Sequence, residues 1–113
     1  YMMADIILIP SITSHGVQEA TSLAMLEGMA CGKVVICSNI GGMQEIIHNM
    51  ENGILVDEKE SMEVAKGVET VLNNRSLMAK ISKNAREYTV KNHSFLVHAR
   101  KVFDVYCDLL EER

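Results

Sequence analysis

"EATSLAMLEGMACGKVVICSN", residues 19–39, passes from one kind of secondary structure to another without a linker. Residues 21–31 are small or aliphatic with no proline, which predicts a helix, and Gly32 stands where a helix is stopped. "KVVICSN" (33–39) is then a continuous apolar run, the pattern of a strand buried on both faces. A helix feeding directly into such a strand is one half of a parallel β-α-β unit. The other half lies upstream in "DIILIPS" (5–11), an aliphatic run ended by the only proline. Between them "ITSHGVQE" (12–19) is polar and glycine-containing, hence a loop. Downstream, "IGG" closes the second strand, "MQEIIHNM" (43–50) predicts a short helix, Asn52-Gly53 a turn, and "ILVD" (54–57) a third strand. The fold expected is α/β, a Rossmann-like three-layer parallel sheet.

The remainder predicts C-terminal helices. Val64, Ala65, Val68, Val71 and Leu72 share one face behind a Ser61 cap, and Leu77, Met78, Ile81, Ala85 and Tyr88 share the next. Ser94 is placed to cap a last helix carrying Phe95, Ala99, Val102, Phe103, Tyr106, Leu109 and Leu110 at helical spacing. All three stripes are expected to be core faces. Three strands are few for a doubly wound domain, and "YMMAD" opens without a cap or polar lead-in. Residues 1–113 therefore read as a single partial domain cut from a larger one, with 94–112 as its closing helix.

Composition narrows the function classes. The chain has 113 residues, 48% hydrophobic and 23% charged, as in a folded domain. A net charge of −4, with Lys and Arg scattered among acidic neighbours, gives no nucleic-acid surface. The three cysteines form no CxxC pair and read as thiols of a reduced, cytoplasmic protein. No apolar run approaches the roughly 18 residues of a membrane helix.

The chemistry lies at Glu19 and Glu27, eight positions apart in an otherwise small and apolar stretch. With Thr21 or Ser22 as N-cap, the inner stripe is expected to run Leu23, Leu26, Ala30, with Glu27 beside it. Helical side chains lean towards the N-terminus, so Glu27 would face the space before the helix, at the C-terminal ends of the strands. The backbone N–H groups of Ala20, Thr21, Ser22 and Leu23, with the positive end of the helix dipole, make that space suited to phosphate. A carboxylate beside it suits ribose hydroxyls without a metal. The plain alternative is a surface Glu19 and a Glu27 paired to a lysine or arginine across the fold. Spacing alone leaves both open.

The flanks carry a resemblance. Ala4-Asp5, "ILIPS", Glu19, "SLAMLEGMACG", "VVICSNIGGMQEII" and "NGILV" follow the order seen in retaining glycosyltransferases of the GT-B fold, the glycogen-synthase-like and mannosyltransferase-like group. Glu19 and Glu27 are similar to its E-x7-E signature, and Gly41-Gly42 with Glu45 to the segment after the next strand. The resemblance implies the nucleotide-sugar-binding C-terminal domain, in part, of an enzyme of glycan biosynthesis. An acceptor sugar or lipid would be bound by an absent N-terminal domain, the basic residues that usually contact the diphosphate would also be absent, and these residues alone would be inactive. It implies that Glu19 is a catalytic-site residue at the donor sugar, that the backbone of Ala20 to Leu23 holds sugar and diphosphate, and that Glu27 binds ribose. It implies no cofactor and no bound metal, only a nucleotide-diphosphate sugar as donor substrate, and peripheral membrane association as is common in the family. A non-catalytic nucleotide-sugar-binding module and a sugar-nucleotide epimerase are the alternatives of other classes.

The loop from Pro10 to Glu19 is longer than the family's usual spacing, Val34 stands where proline is frequent, and Gly28 replaces an alanine at a helix cost of about 1 kcal/mol. His15 reads as an exposed loop residue beside the site. Glu45 and His48, i,i+3 on the predicted short helix, read as structural, and His93 and His98 as surface. Gly41-Gly42 is equally a tight turn or a place where ligand meets backbone.

Overall fold

The computed structural model describes residues 1–112. Strand β2 (Val34–Ser38) lies between β1 (Ile6–Ile9) and β3 (Ile54–Val56) in a three-stranded sheet. Both pairings are parallel, with Ile6 opposite Val34 and Ile36 opposite Ile54. Every residue of β2 is buried, because the central strand has neighbours on both edges and helices over both faces. Its alternation divides the core. Val35 and Cys37 join Met25 and Met29 of helix α1 (Leu23–Ala30) and Met43 and Ile46 of α2 (Met43–Ile46). Val34 and Ile36 join Ile54, Val56 and Val71, the last from α3 (Ser61–Leu72). Helix α4 (Arg75–His93) places Ile81 in the second cluster and Ala85 in the first, so it holds the layers together. A fully buried side chain of this kind is worth about 1.5–3 kcal/mol.

The α/β class and the parallel order are as the periodicity predicts; several details are not. β1 is half-buried, with Leu8 47% exposed, because it pairs on one side only. The inner face of α1 is Ser22, Met25, Gly28 and Met29, while Leu23 is 72% exposed and Glu27 is exposed too. The helix is apolar nearly all round, so periodicity could not fix its rotation about the axis. Gly28 is what lets it sit there: a Cβ would lie 3.1 Å from Ile7 Cγ1 and 3.3 Å from Val35 Cγ2. The helix ends in a Schellman turn at left-handed Gly32, with Lys33 N–H donating to Gly28 O and Gly32 N–H to Met29 O.

Helix α2 stops at Ile46, so His48 is not on it and the Glu45–His48 helical pair does not exist. Asn52 ends it there: its carboxamide donates to Ile46 O and accepts from His48 N–H. Ser61 is the first residue of α3 rather than its cap, and the N-cap Glu60 makes no side-chain capping bond. Ala65 and Leu72 face solvent, and Gly67 takes the inner position between Val64 and Val71. Asn74 caps α4 by accepting from Leu77 N–H, and Ser94 caps α5 (Phe95–Glu111) by accepting from Val97 N–H. The last helix departs most from expectation. None of its residues is buried, and Phe103 and Tyr106 are 65% and 64% exposed. It rests on α4 and covers no core, and the molecule is accordingly long, 56 × 35 × 21 Å.

Candidate functional site

Parallel strands deliver all their C-terminal ends to one edge of the sheet, and three loops meet there. The loop after β1 is the long one, and it is built rather than slack. Ser14 and Val17 exchange both backbone hydrogen bonds, 3.0 and 2.8 Å, around His15 and Gly16. Both central residues have positive φ, as a two-residue hairpin turn requires. His15 lies exposed at this tip, its Nδ1 3.0 Å from Ser14 Oγ. At the base of the loop Ser11 Oγ donates to Glu19 Oε2 at 2.7 Å, so the partly buried carboxylate is aimed by a neighbour two residues past β1.

The loop after β2 holds Glu19 from beneath. Gly42 N–H donates to Glu19 O at 3.2 Å and Gly41 N–H to Gln18 Oε1 at 3.0 Å. A Cβ on Gly41 would stand 1.9 Å from Glu19 O, and one on Gly42 1.6 Å from Ala20 O. The pair is glycine because two backbones touch here, a third role beside the turn and the ligand contact that the sequence suggests. Sequence reading also missed Ser11, Thr13, Gln18 and Glu58 as supports. Only the first carried a signal, as the serine of "ILIPS".

Between Glu19 and the first turn of α1 the backbone is open. Ser22 is the N-cap, its Oγ accepting from Met25 N–H at 3.2 Å, and Leu26 N–H returns to Ser22 O. No backbone N–H from Ala20 to Ala24 donates to a protein acceptor among the described residues. The unpaired run thus extends one residue further into the helix than expected, to Ala24. Ala20, Thr21 and Leu23 are exposed and Ser22 is buried. Glu27 lies on the outer side of α1, where its Oε2 accepts from Tyr1 Oη at 2.6 Å. Its partner is a phenol, not the lysine or arginine of the plain alternative, and that bond raises the Tyr1 hydroxyl above its usual range. Glu27 is thus on the exposed side of α1, and Glu19 is partly buried in the loop before it.

Under the site, burial first and the Glu19 charge second push the Cys37 thiol up to about 12. It is a protonated core side chain at neutral pH, not a nucleophile. Among the described residues no three His, Cys, Asp or Glu side chains lie together as a metal site, and no helix is long and apolar enough to cross a membrane.

Comparison with known proteins adds four likenesses. The family model of glycosyl transferases group 1 matches residues 1–88. An uncharacterized glycosyltransferase of Methanocaldococcus jannaschii is 35% identical over 94% of this chain, which covers 26% of that protein. The crystal structure of a glycosyltransferase from Rickettsia africae superposes with a TM-score of 0.86 and 31% identity over 98% of this chain and 29% of the other. That of Anabaena HepE in complex with UDP superposes with 0.88 over 95% of this chain and 28% of the other, and at 23% identity is a likeness of fold. The chain thus spans about a quarter of the length of these proteins.

Proposed function

Because the chain belongs to the group 1 glycosyltransferases of the GT-B fold, we propose that residues 19–27 form the donor site for a sugar transferred from a nucleoside diphosphate with retained anomeric configuration. The observation that carries this reading is the run of five unpaired amides, Ala20 to Ala24, at the N-terminus of α1 and the C-terminal edge of the sheet. Such a run, with the helix dipole behind it, stabilises negative charge. A diphosphate leaving group gathers that charge as its bond to the sugar breaks, so the same amides assist the transition state.

Glu19 stands at the sugar end of the run, where Ser11 holds one carboxylate oxygen. We assign it to the donor sugar near the reacting carbon. Glu27 takes ribose: Tyr1 occupies one lone pair of Oε2, and a carboxylate offers about four acceptor sites. The acceptor oxygen bonds to the sugar carbon on the face from which the diphosphate departs as the carbon–diphosphate bond breaks, and its proton passes to the departing phosphate oxygen. As in the resemblance, no metal takes part, and the enzyme is a hexosyltransferase.

A donor screen on the full-length enzyme with Glu19→Ala and Glu27→Ala tests this. The first is expected to lose mainly kcat and the second mainly donor affinity, each by tenfold or more on the order of one charged hydrogen bond. Unchanged kinetics in both variants would sink the assignment. Donor turnover without any acceptor would point to an epimerase.

A further inference from the structure

One chain of hydrogen bonds ties together all three loops at the C-terminal edge. It starts after β3, where the Glu58 carboxylate accepts from Thr13 N–H at 2.6 Å and from Thr13 Oγ1 at 3.2 Å. Within the loop after β1, Gln18 Nε2 donates to Thr13 Oγ1 at 3.3 Å. The chain then crosses to the loop after β2, where Gly41 N–H donates to Gln18 Oε1 at 3.0 Å. The next residue along, Gly42, donates to Glu19 O, and Glu19 follows Gln18 directly. Glu58 lies 39 positions from Glu19 in sequence, and neither its spacing nor any motif points to it.

The chain has a direction. A carboxylate only accepts, so both Thr13 donors turn towards Glu58. The Thr13 hydroxyl, its hydrogen committed, presents lone pairs to Gln18 Nε2. That fixes the carboxamide with its oxygen towards Gly41. Each member is therefore set by the one before it.

We propose that Glu58 and Thr13 are positioning residues for Glu19, acting through Gln18 and the Gly41-Gly42 backbone. The inference rests on the assignment of Glu19 to the donor sugar. The loop after β1 rises into an exposed hairpin and is long enough to wander without a tether. Anchoring it to both neighbouring strand ends holds Glu19 in register with the open amides, and small displacements of a reacting group cost large factors in rate.

The test uses the full-length protein with Glu58→Gln and Thr13→Val, alone and together, beside Glu19→Ala. The two Thr13 donors use different oxygens of Glu58, and a carboxamide keeps only one of these as an acceptor; valine keeps the Thr13 N–H bond but breaks the relay. Each variant is expected to lower kcat about tenfold with donor KM within about twofold. The double variant should be no worse than either single one, since all members lie in one chain. Glu69→Gln, on the exposed side of α3, controls for loss of charge and should change neither constant. Amide spectra of glycine-labelled protein should show Gly41 and Gly42 shifting in Glu58→Gln. If Glu58→Gln and Thr13→Val keep kcat within twofold while Glu19→Ala loses it, the positioning role is overturned and the donor site stands. If Glu19→Ala is itself silent, the donor-site reading fails. In that case the glycine shifts judge the relay, and their absence overturns it too.

Discussion

Gly42 shows how tightly the site is specified at the scale of one residue. Its α-carbon faces the Ala20 carbonyl so closely that a methyl group there would overlap it, at 1.6 Å. Backbone cannot yield as a flexible side chain can, so Gly42→Ala must part the two loops. Gly16 is the natural comparison: it has a φ of +75° but open space around its α-carbon. Gly16→Ala should therefore cost only backbone strain, about 1–2 kcal/mol. Gly42→Ala should lower the thermal midpoint further and also weaken UDP or GDP binding, which Gly16→Ala leaves intact. Calorimetric unfolding and a binding titration on both variants check this; equal effects would mean that the two backbones are not in contact.

At the scale of an element, the long loop after β1 depends on charge. The Thr13 N–H bond holds the Glu58 carboxyl below the ordinary glutamate value of 4.5, and the Thr13 hydroxyl and Lys59 act in the same direction against partial desolvation. The folded state therefore binds the proton less readily than the unfolded one. The tether's contribution is whole above the ordinary value and is lost as pH falls through the lower folded one. Unfolding curves of the parent and of Glu58→Gln should be separated by a constant amount above about pH 6. They should converge as the solution is acidified below 4.5. Curves that stay equally separated to the acid limit would show that the tether does not titrate.

Stability across the whole molecule is uneven. Ile81 is fully buried, between the α3 layer and the sheet, whereas α5 contributes no buried side chain. Ile81→Ala should cost about 2–5 kcal/mol. Phe103→Ser, on the exposed stripe of α5, should change stability by no more than about 0.5 kcal/mol. Denaturant titration of the two variants separates these cases. A large loss for Phe103→Ser would mean that the stripe is covered in solution.

Continuous aliphatic runs and a glycine just past α1 left few alternatives for the strands, their parallel order and the helix stop at Gly32. The sequence also placed Glu19 before a helix opening at Thr21 or Ser22, since capping is a local matter of one hydroxyl and a few N–H groups, and the structure selects Ser22. The rotation of α1 needed the tertiary structure, as a helix apolar on every side has no preferred inner face until β1 presses Ile7 against Gly28. The exposed stripe of α5 followed the same logic in reverse: periodicity shows that a face is apolar, not that anything covers it. The supports of Glu19 lay beyond reach for a different reason. Thr13, Gln18, Gly41 and Glu58 are polar or small residues of loops, joined by hydrogen bonds across as many as 45 positions. No repeat or spacing records a bond of that kind; it exists only because three parallel strands bring their ends to one edge.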